Sequence, residues 1–196
     1  MTWAKICGLS TEAEIDVAEA GGADAVGFVL AEGSPRQVTE ERAAALVAHA
    51  TVPAYLVTMD LDAAEVPGLL ERTGADGLQP HGEAGAEAAE AALAVGAHVL
   101  FPVVGEGSGR WDSVPAGARP FVDGPRPGSG TPTEWEPLRA APVPFVLAGG
   151  LDPDNVRRAI SRSGASGVDV SSGVESSPGR KDPGLIRTFL ERVKTP

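Results

Sequence analysis

The chain has 196 residues, 42% of them hydrophobic and 22% charged, which suits one globular domain with a full core and argues against disorder. A formal net charge of −11 sets the surface against nucleic acid and anionic membranes, yet a small anionic ligand can still be held locally by backbone N–H groups. A single cysteine excludes an intrachain disulfide, as suits a reducing cytoplasm, and no apolar run nears the ~20 residues of a membrane span.

Short apolar runs alternate with Ala-rich stretches from end to end, and the 25 Gly and 17 Pro fall between them as turn signals. The opening MTWAKICGLS has no apolar h-region and no cleavage site, so no secretory leader is expected. The first strand, Ala4–Cys7, ends on the thiol and is followed by Gly8. Ser10 is the expected N-cap of a helix over Thr11–Ala20. A second strand, Ala25–Leu30, leads into Ser34-Pro35-Arg36, and a helix over Thr39–Ala50 opens with acids that suit its dipole. Strand Ala54–Thr58 and helix Ala63–Thr73 follow, then strand Gly77–Pro80, which delivers Gln79 and His81, and helix Gly85–Val95.

The second half keeps the rhythm with poorer helices. Strand His98–Val104 is followed by a Pro-rich segment, Arg110–Ala118, and strand Pro120–Asp123 by another, Thr133–Arg139. Both segments are expected to form shortened helices. Strand Phe145–Ala148 runs into Gly149 and Gly150, and Asp152 and Pro153 are expected to cap and start a helix over Pro153–Ser161. Strand Gly167–Ser171 runs into Ser172 and Gly173, and Asp182 is expected to cap the last helix, Pro183–Val193.

The strands are apolar on both faces, as in a covered parallel sheet. A Gly-Ala step recurs before strands at Gly22-Ala23, Gly74-Ala75, Gly96-Ala97 and Gly164-Ala165, so one αβ turn is repeated through the chain. Eight such units predict an α/β fold, a minimal (β/α)8 TIM barrel forming a single domain over residues 1–196; a doubly wound open sheet is the runner-up.

A barrel of this type carries its site at the C-terminal strand ends. Cys7 ends strand one, where a lone Cys is ordinarily a small buried hydrophobe, but nearby helix N-termini would lower its pKa from ~8.5. Asp123 ends strand six, where Asp-Gly is also a common turn pair. Gly149, Gly150, Ser171, Ser172 and Gly173 occupy the two loops in which barrels often bind phosphate. Arg36 has the geometry to fork onto a carboxylate, and His81, beside Gln79, is more expected to support a site than to catalyse. Lys5 shares a strand face with Cys7 and needs an inward acidic partner, for which Asp169 is the candidate. Lys181 and Lys194 are expected to lie away from the strand ends. No metal is expected, because no His/Cys/Asp cluster has ligand spacing, and no cofactor is expected either.

The segments Lys5-Ile6-Cys7-Gly8-Leu9, Ser34-Pro35-Arg36, Leu78-Gln79-Pro80-His81-Gly82, Leu147 to Val156 with its Ala148-Gly149-Gly150 core, and Val168-Asp169-Val170-Ser171-Ser172-Gly173-Val174-Glu175 with Pro178-Gly179-Arg180-Lys181-Asp182 resemble the phosphoribosylanthranilate isomerase family. The Gly128-Ser129-Gly130 loop and Trp135 extend the likeness, although the family's lysine after that loop is Thr131 here. The resemblance implies an Amadori rearrangement of N-(5-phosphoribosyl)anthranilate in tryptophan biosynthesis. It makes Asp123 the general acid and Cys7 the general base. Arg36 would hold the anthranilate carboxylate, and the loops at Gly149–Gly150 and Ser171–Gly173 the phosphate. The expected partner is this phosphosugar, the chain being a monomer or homodimer. Alternatives are a histidine-pathway phosphosugar isomerase, a bifunctional enzyme, a weakened phosphosugar-binding barrel and, on Lys5 alone, a Schiff-base aldolase.

Overall fold

The computed structural model describes residues 1–103, 108–123 and 135–195. Eight strands follow one another: β1 Trp3–Cys7, β2 Ala25–Val29, β3 Ala54–Met59, β4 Gly77–His81, β5 His98–Val103, β6 Arg119–Val122, β7 Val146–Leu147 and β8 Gly167–Val170. Each pairs in parallel with the next, and β8 pairs with β1, so the sheet closes on itself. Closure decides against the open sheet, which would leave two strand edges with unpaired backbone groups.

The strands alternate with helices α1 Glu12–Ala20, α2 Glu40–His49, α3 Val66–Thr73, α4 Gly85–Ala94, α5 Val156–Ser163 and α6 Pro183–Lys194. After β5 and β6 the described residues form 3-10 turns, Ser108–Ser113 and Glu136–Ala140, in keeping with the Pro-rich segments. The expected limits Val104 and Thr133 and the Gly128-Ser129-Gly130 loop lie outside the described residues. None of the helices described is long and apolar enough to cross a membrane.

Several boundaries differ from the sequence reading for local reasons. Thr11, not Ser10, caps α1: its side chain accepts from the N–H of Glu14, whose carboxylate returns to the Thr11 N–H in a capping box. The fifth helix starts at Val156 rather than Pro153. Asp152 spends its carboxylate on the N–H groups of Asp154 and Asn155, and this tight turn delays the helix by three residues. The seventh strand keeps only two ladder residues. After β8 the chain forms a small hairpin that the sequence reading lacks, β9 Glu175–Ser177 with β10 Arg180–Lys181.

The repeated Gly-Ala step does the same work each time. Gly22, Gly74, Gly96 and Gly164 all have positive φ, which lets the chain leave a helix and enter a strand. In two copies the following Asp stitches neighbouring strands: Asp24 accepts from the Ala4 N–H at 2.7 Å, and Asp76 from the Ala54 N–H at 2.9 Å.

Alternation along each strand sorts side chains between two cores. Ala4, Ile6, Val26, Phe28, Leu56 and Leu78 pack under the helices. Ala25, Tyr55, Leu100, Phe121, Val146 and Ala148 fill the barrel interior, with Cys7, Val29 and Val57 forming a smaller group. The interior also buries Lys5, Gln79 and Asp169, and these polar residues lead to the site.

Candidate active site at the C-terminal strand ends

Lys5 lies inside the barrel with no exposed surface. Its register partner on β8 is Asp169, and Nζ donates to Asp169 Oδ1 and to Gln79 Oε1, both at 2.8 Å. The pairing expected from strand parity is present. Burial works against the Lys5 charge, but Asp169 and then Cys7 outweigh it and hold its pKa above the ordinary value.

The same lysine fixes the state of His81. An ammonium only donates, so Gln79 must turn its carbonyl to Lys5 and its NH2 to His81 Nε2, 2.9 Å away. Nε2 is then the acceptor and the ring proton sits on Nδ1. Burial, reinforced by the Lys5 charge, pushes the His81 pKa down to about 4, so the ring is neutral at physiological pH.

Cys7 lies one step beyond Lys5 on the same inward face and is 5% exposed. It is level with Gly27 on β2, and a Cβ at Gly27 would stand 3.0 Å from the sulfur and 3.2 Å from Lys5 Nζ. Only glycine leaves room for both. The lowered thiol pKa expected at a strand end beside helix N-termini is reversed in the structure. Burial raises it, and the neighbouring Lys5 charge only partly offsets that penalty.

Asp123 follows β6 and lines a cleft of about 50 Å³ together with Gly149, Gly150, Asp169, Ser171 and Ser172. Gly149 and Gly150 both have positive φ, a turn that side chains resist. Ser172 and Gly173 begin a 3-10 turn, Ser172–Val174, whose first N–H groups have no acceptor within the turn. The two loops touch: a Cβ at Gly173 would lie 1.8 Å from the Leu151 carbonyl oxygen. Close backbone approach, rather than φ, demands glycine at 173. A larger groove of about 360 Å³, lined by Thr58, Glu65 and Leu69 among others, lies elsewhere and contains none of the candidate residues.

Arg36 already has a carboxylate partner. Its Nε and Nη2 donate to Glu175 Oε1 and Oε2 at 2.6 and 2.8 Å. Lys181 corrects the sequence reading, which set it away from the strand ends. Its side chain is buried, and Nζ donates to the Ser171 carbonyl at 2.9 Å and to Glu175 Oε1 at 2.7 Å. Glu175 and Lys181 stood within the C-terminal motif, but their importance follows from the hairpin. The Pro178-Gly179 turn signal was the available clue to it.

Asp123, Gly149, Gly150, Ser171 and Ser172 thus share one cleft. Gly173 closes against the first loop, Cys7, Gln79 and His81 stand on inward strand faces, and Arg36 is reached through Glu175. Among the described residues no group of three or more His, Cys, Asp or Glu is arranged to hold a metal ion.

The chain matches the family model for N-(5'-phosphoribosyl)anthranilate (PRA) isomerase over residues 4–192. It is 43% identical over 211 residues to N-(5'-phosphoribosyl)anthranilate isomerase of Caulobacter sp. (strain K31), covering 99% of each chain. It superposes on a structure of monomers generated from the dimeric phosphoribosylanthranilate isomerase of Thermotoga maritima with a TM-score of 0.85, at 28% identity and 99% coverage of both chains. A phosphoribosyl anthranilate isomerase in complex with reduced 1-(o-carboxyphenylamino)-1-deoxyribulose 5-phosphate gives a TM-score of 0.82, again at 28% identity and 99% coverage of both. With the fold, the order of the motifs and full-length relatives in agreement, this chain belongs to the N-(5'-phosphoribosyl)anthranilate isomerase family.

Proposed function

We propose that Asp123 and Cys7 are the acid and base with which this chain carries out the Amadori rearrangement of N-(5-phosphoribosyl)anthranilate to 1-(2-carboxyphenylamino)-1-deoxyribulose 5-phosphate. The protein is a phosphoribosylanthranilate isomerase of tryptophan biosynthesis, an intramolecular aldose–ketose isomerase. The observation that carries the assignment of roles is the cleft in which Asp123 faces the two glycine- and serine-bearing loops.

Asp123 gives a proton to the ribose ring oxygen as the C1–O bond breaks, and the amine nitrogen's lone pair forms the Schiff base. Cys7, as thiolate, takes the proton from C2, and the electron pair moves toward the iminium nitrogen. The resulting enolamine becomes the ketone by proton transfer, so no external oxidant or reductant is consumed. The N–H groups of the loops at Gly149–Gly150 and Ser172–Gly173 suit a phosphate, for which backbone nests are a common receptor. Arg36 holds the anthranilate carboxylate, and Gln79 and the neutral His81 line the sugar side. The chain acts as one domain in the cytoplasm, as monomer or homodimer.

The direct test follows the loss of anthranilate-conjugate fluorescence on adding purified protein, paired with rescue of a tryptophan auxotroph lacking this step. Absence of both turnover and rescue, with phosphosugar binding retained, would favour a binding barrel instead.

A further inference from the structure

Glu175 receives more donors than a simple surface pair needs. Arg36 Nε and Nη2, Lys181 Nζ and the Gly179 N–H all donate to its carboxylate, which is 4% exposed. We propose that Glu175 is a positioning residue that sets substrate specificity, aiming the Arg36 guanidinium at the substrate carboxylate while Lys181 cancels its own charge. This rests on the reading of Arg36 as the carboxylate-binding residue.

Hydrogen-bond arithmetic supports the aim. A guanidinium has five N–H groups, and Glu175 takes the Nε–H and one on Nη2. The end-on pair, Nη1 with the second hydrogen of Nη2, is left for a planar carboxylate. The stem of Arg36 is also fixed. A Cβ at Gly8 would come within 2.7 Å of Arg36 Cδ, and one at Gly179 within 2.1 Å of the Pro35 carbonyl oxygen. Strand tip and hairpin turn therefore press on the arginine and its loop from two directions.

Lys181 explains how an acid is tolerated there. A bare Glu175 beside an incoming carboxylate would repel it. With Arg36 and Lys181 both on it, the three groups carry a net positive charge inside a protein of net charge −11. Lys181 also bonds the Ser171 carbonyl and hydroxyl, at 2.9 and 3.2 Å. The arginine for one end of the substrate and the loop for the other are thus tied through two side chains.

A staple that merely held the hairpin would serve every substrate alike, and this separates the two roles. The experiment compares kcat/KM for the anthranilate conjugate with that for the same phosphosugar conjugate built on aniline, which lacks the carboxylate. In Glu175→Gln the preference for anthranilate should fall about tenfold or more, as expected when an orienting contact is lost, with turnover of the aniline conjugate nearly unchanged. Glu175→Asp keeps the charge but is one methylene short, and should show a smaller loss in the same direction. Equal losses on both substrates, or an unchanged preference, in whichever variants fold would overturn the role of Glu175. Arg36→Ala is the control: if it keeps the preference, the reading of Arg36 itself fails. If it loses the preference while both Glu175 variants keep it, only the role of Glu175 falls.

Discussion

Lys5 Nζ lies 2.8 Å from Asp169 Oδ1 at one register level of β1 and β8, with side-chain exposures of 0% and 6%. The strands that close the barrel therefore meet over a buried ion pair. Removing one member leaves a buried charge uncompensated, at a typical cost of ~3–5 kcal/mol. Asp169→Ala should lower unfolding stability by that order in urea titrations. Adding Lys5→Met should restore part of it, because the orphaned charge is gone. A loss below about 1 kcal/mol in the single variant would mean that Lys5 carries no buried charge.

Cys7→Ala and Asp123→Asn should each cut kcat by ~10²–10⁴-fold with modest change in KM, since general acid or base assistance is worth about that much. The pH profile separates the two. In the proposed role of Cys7 the thiolate is the active form, and burial raises the Cys7 pKa, so the rising limb of kcat/KM due to Cys7 should sit above the ordinary thiol range. Lys5 opposes that shift, so Lys5→Met should move the limb to still higher pH. A limb that moved to lower pH would contradict the assignment.

Gly173→Ala should disrupt the end of the cleft proposed to hold the phosphate. The added Cβ has backbone rather than a flexible side chain in its way, at 1.8 Å from the Leu151 oxygen, so the two loops must separate. Inhibition by inorganic phosphate, the probe for this subsite, should weaken about tenfold or more, as for loss of a well-made anion contact. Unaltered phosphate inhibition would show that the subsite lies elsewhere.

His81 makes stability depend on pH with a definite sign. Its folded pKa of about 4 lies below the unfolded value of 6.5, so the unfolded chain binds more protons between those limits. Stability should fall as pH drops from 6.5 towards 4, by up to about 1.4 kcal/mol per unit of pKa difference. Denaturant titrations of His81→Asn should give a shallower slope across that window, and an identical slope would assign the dependence to other groups.

The rhythm of strands and helices was legible because its signals are local. Apolar runs bounded by Gly-Ala steps fix each unit within about a dozen residues, and strand parity alone put Lys5 and Cys7 on one face. The same locality placed Cys7, Asp123 and the two loops at strand ends. Boundaries slipped where one side chain had two uses, as at Asp152, whose carboxylate makes a turn instead of capping the helix.

By itself the sequence determined the eight-unit order, the family and the residue types near the site, all carried by nearest-neighbour chemistry and linear motifs. Only the tertiary structure decided that Arg36 meets Glu175 across 139 residues, that Lys181 returns to Ser171 through a hairpin, and that the Cys7 pKa rises instead of falling. Those outcomes depend on strand stagger and barrel closure. They fix which charges share a low-dielectric interior and how much water each one loses.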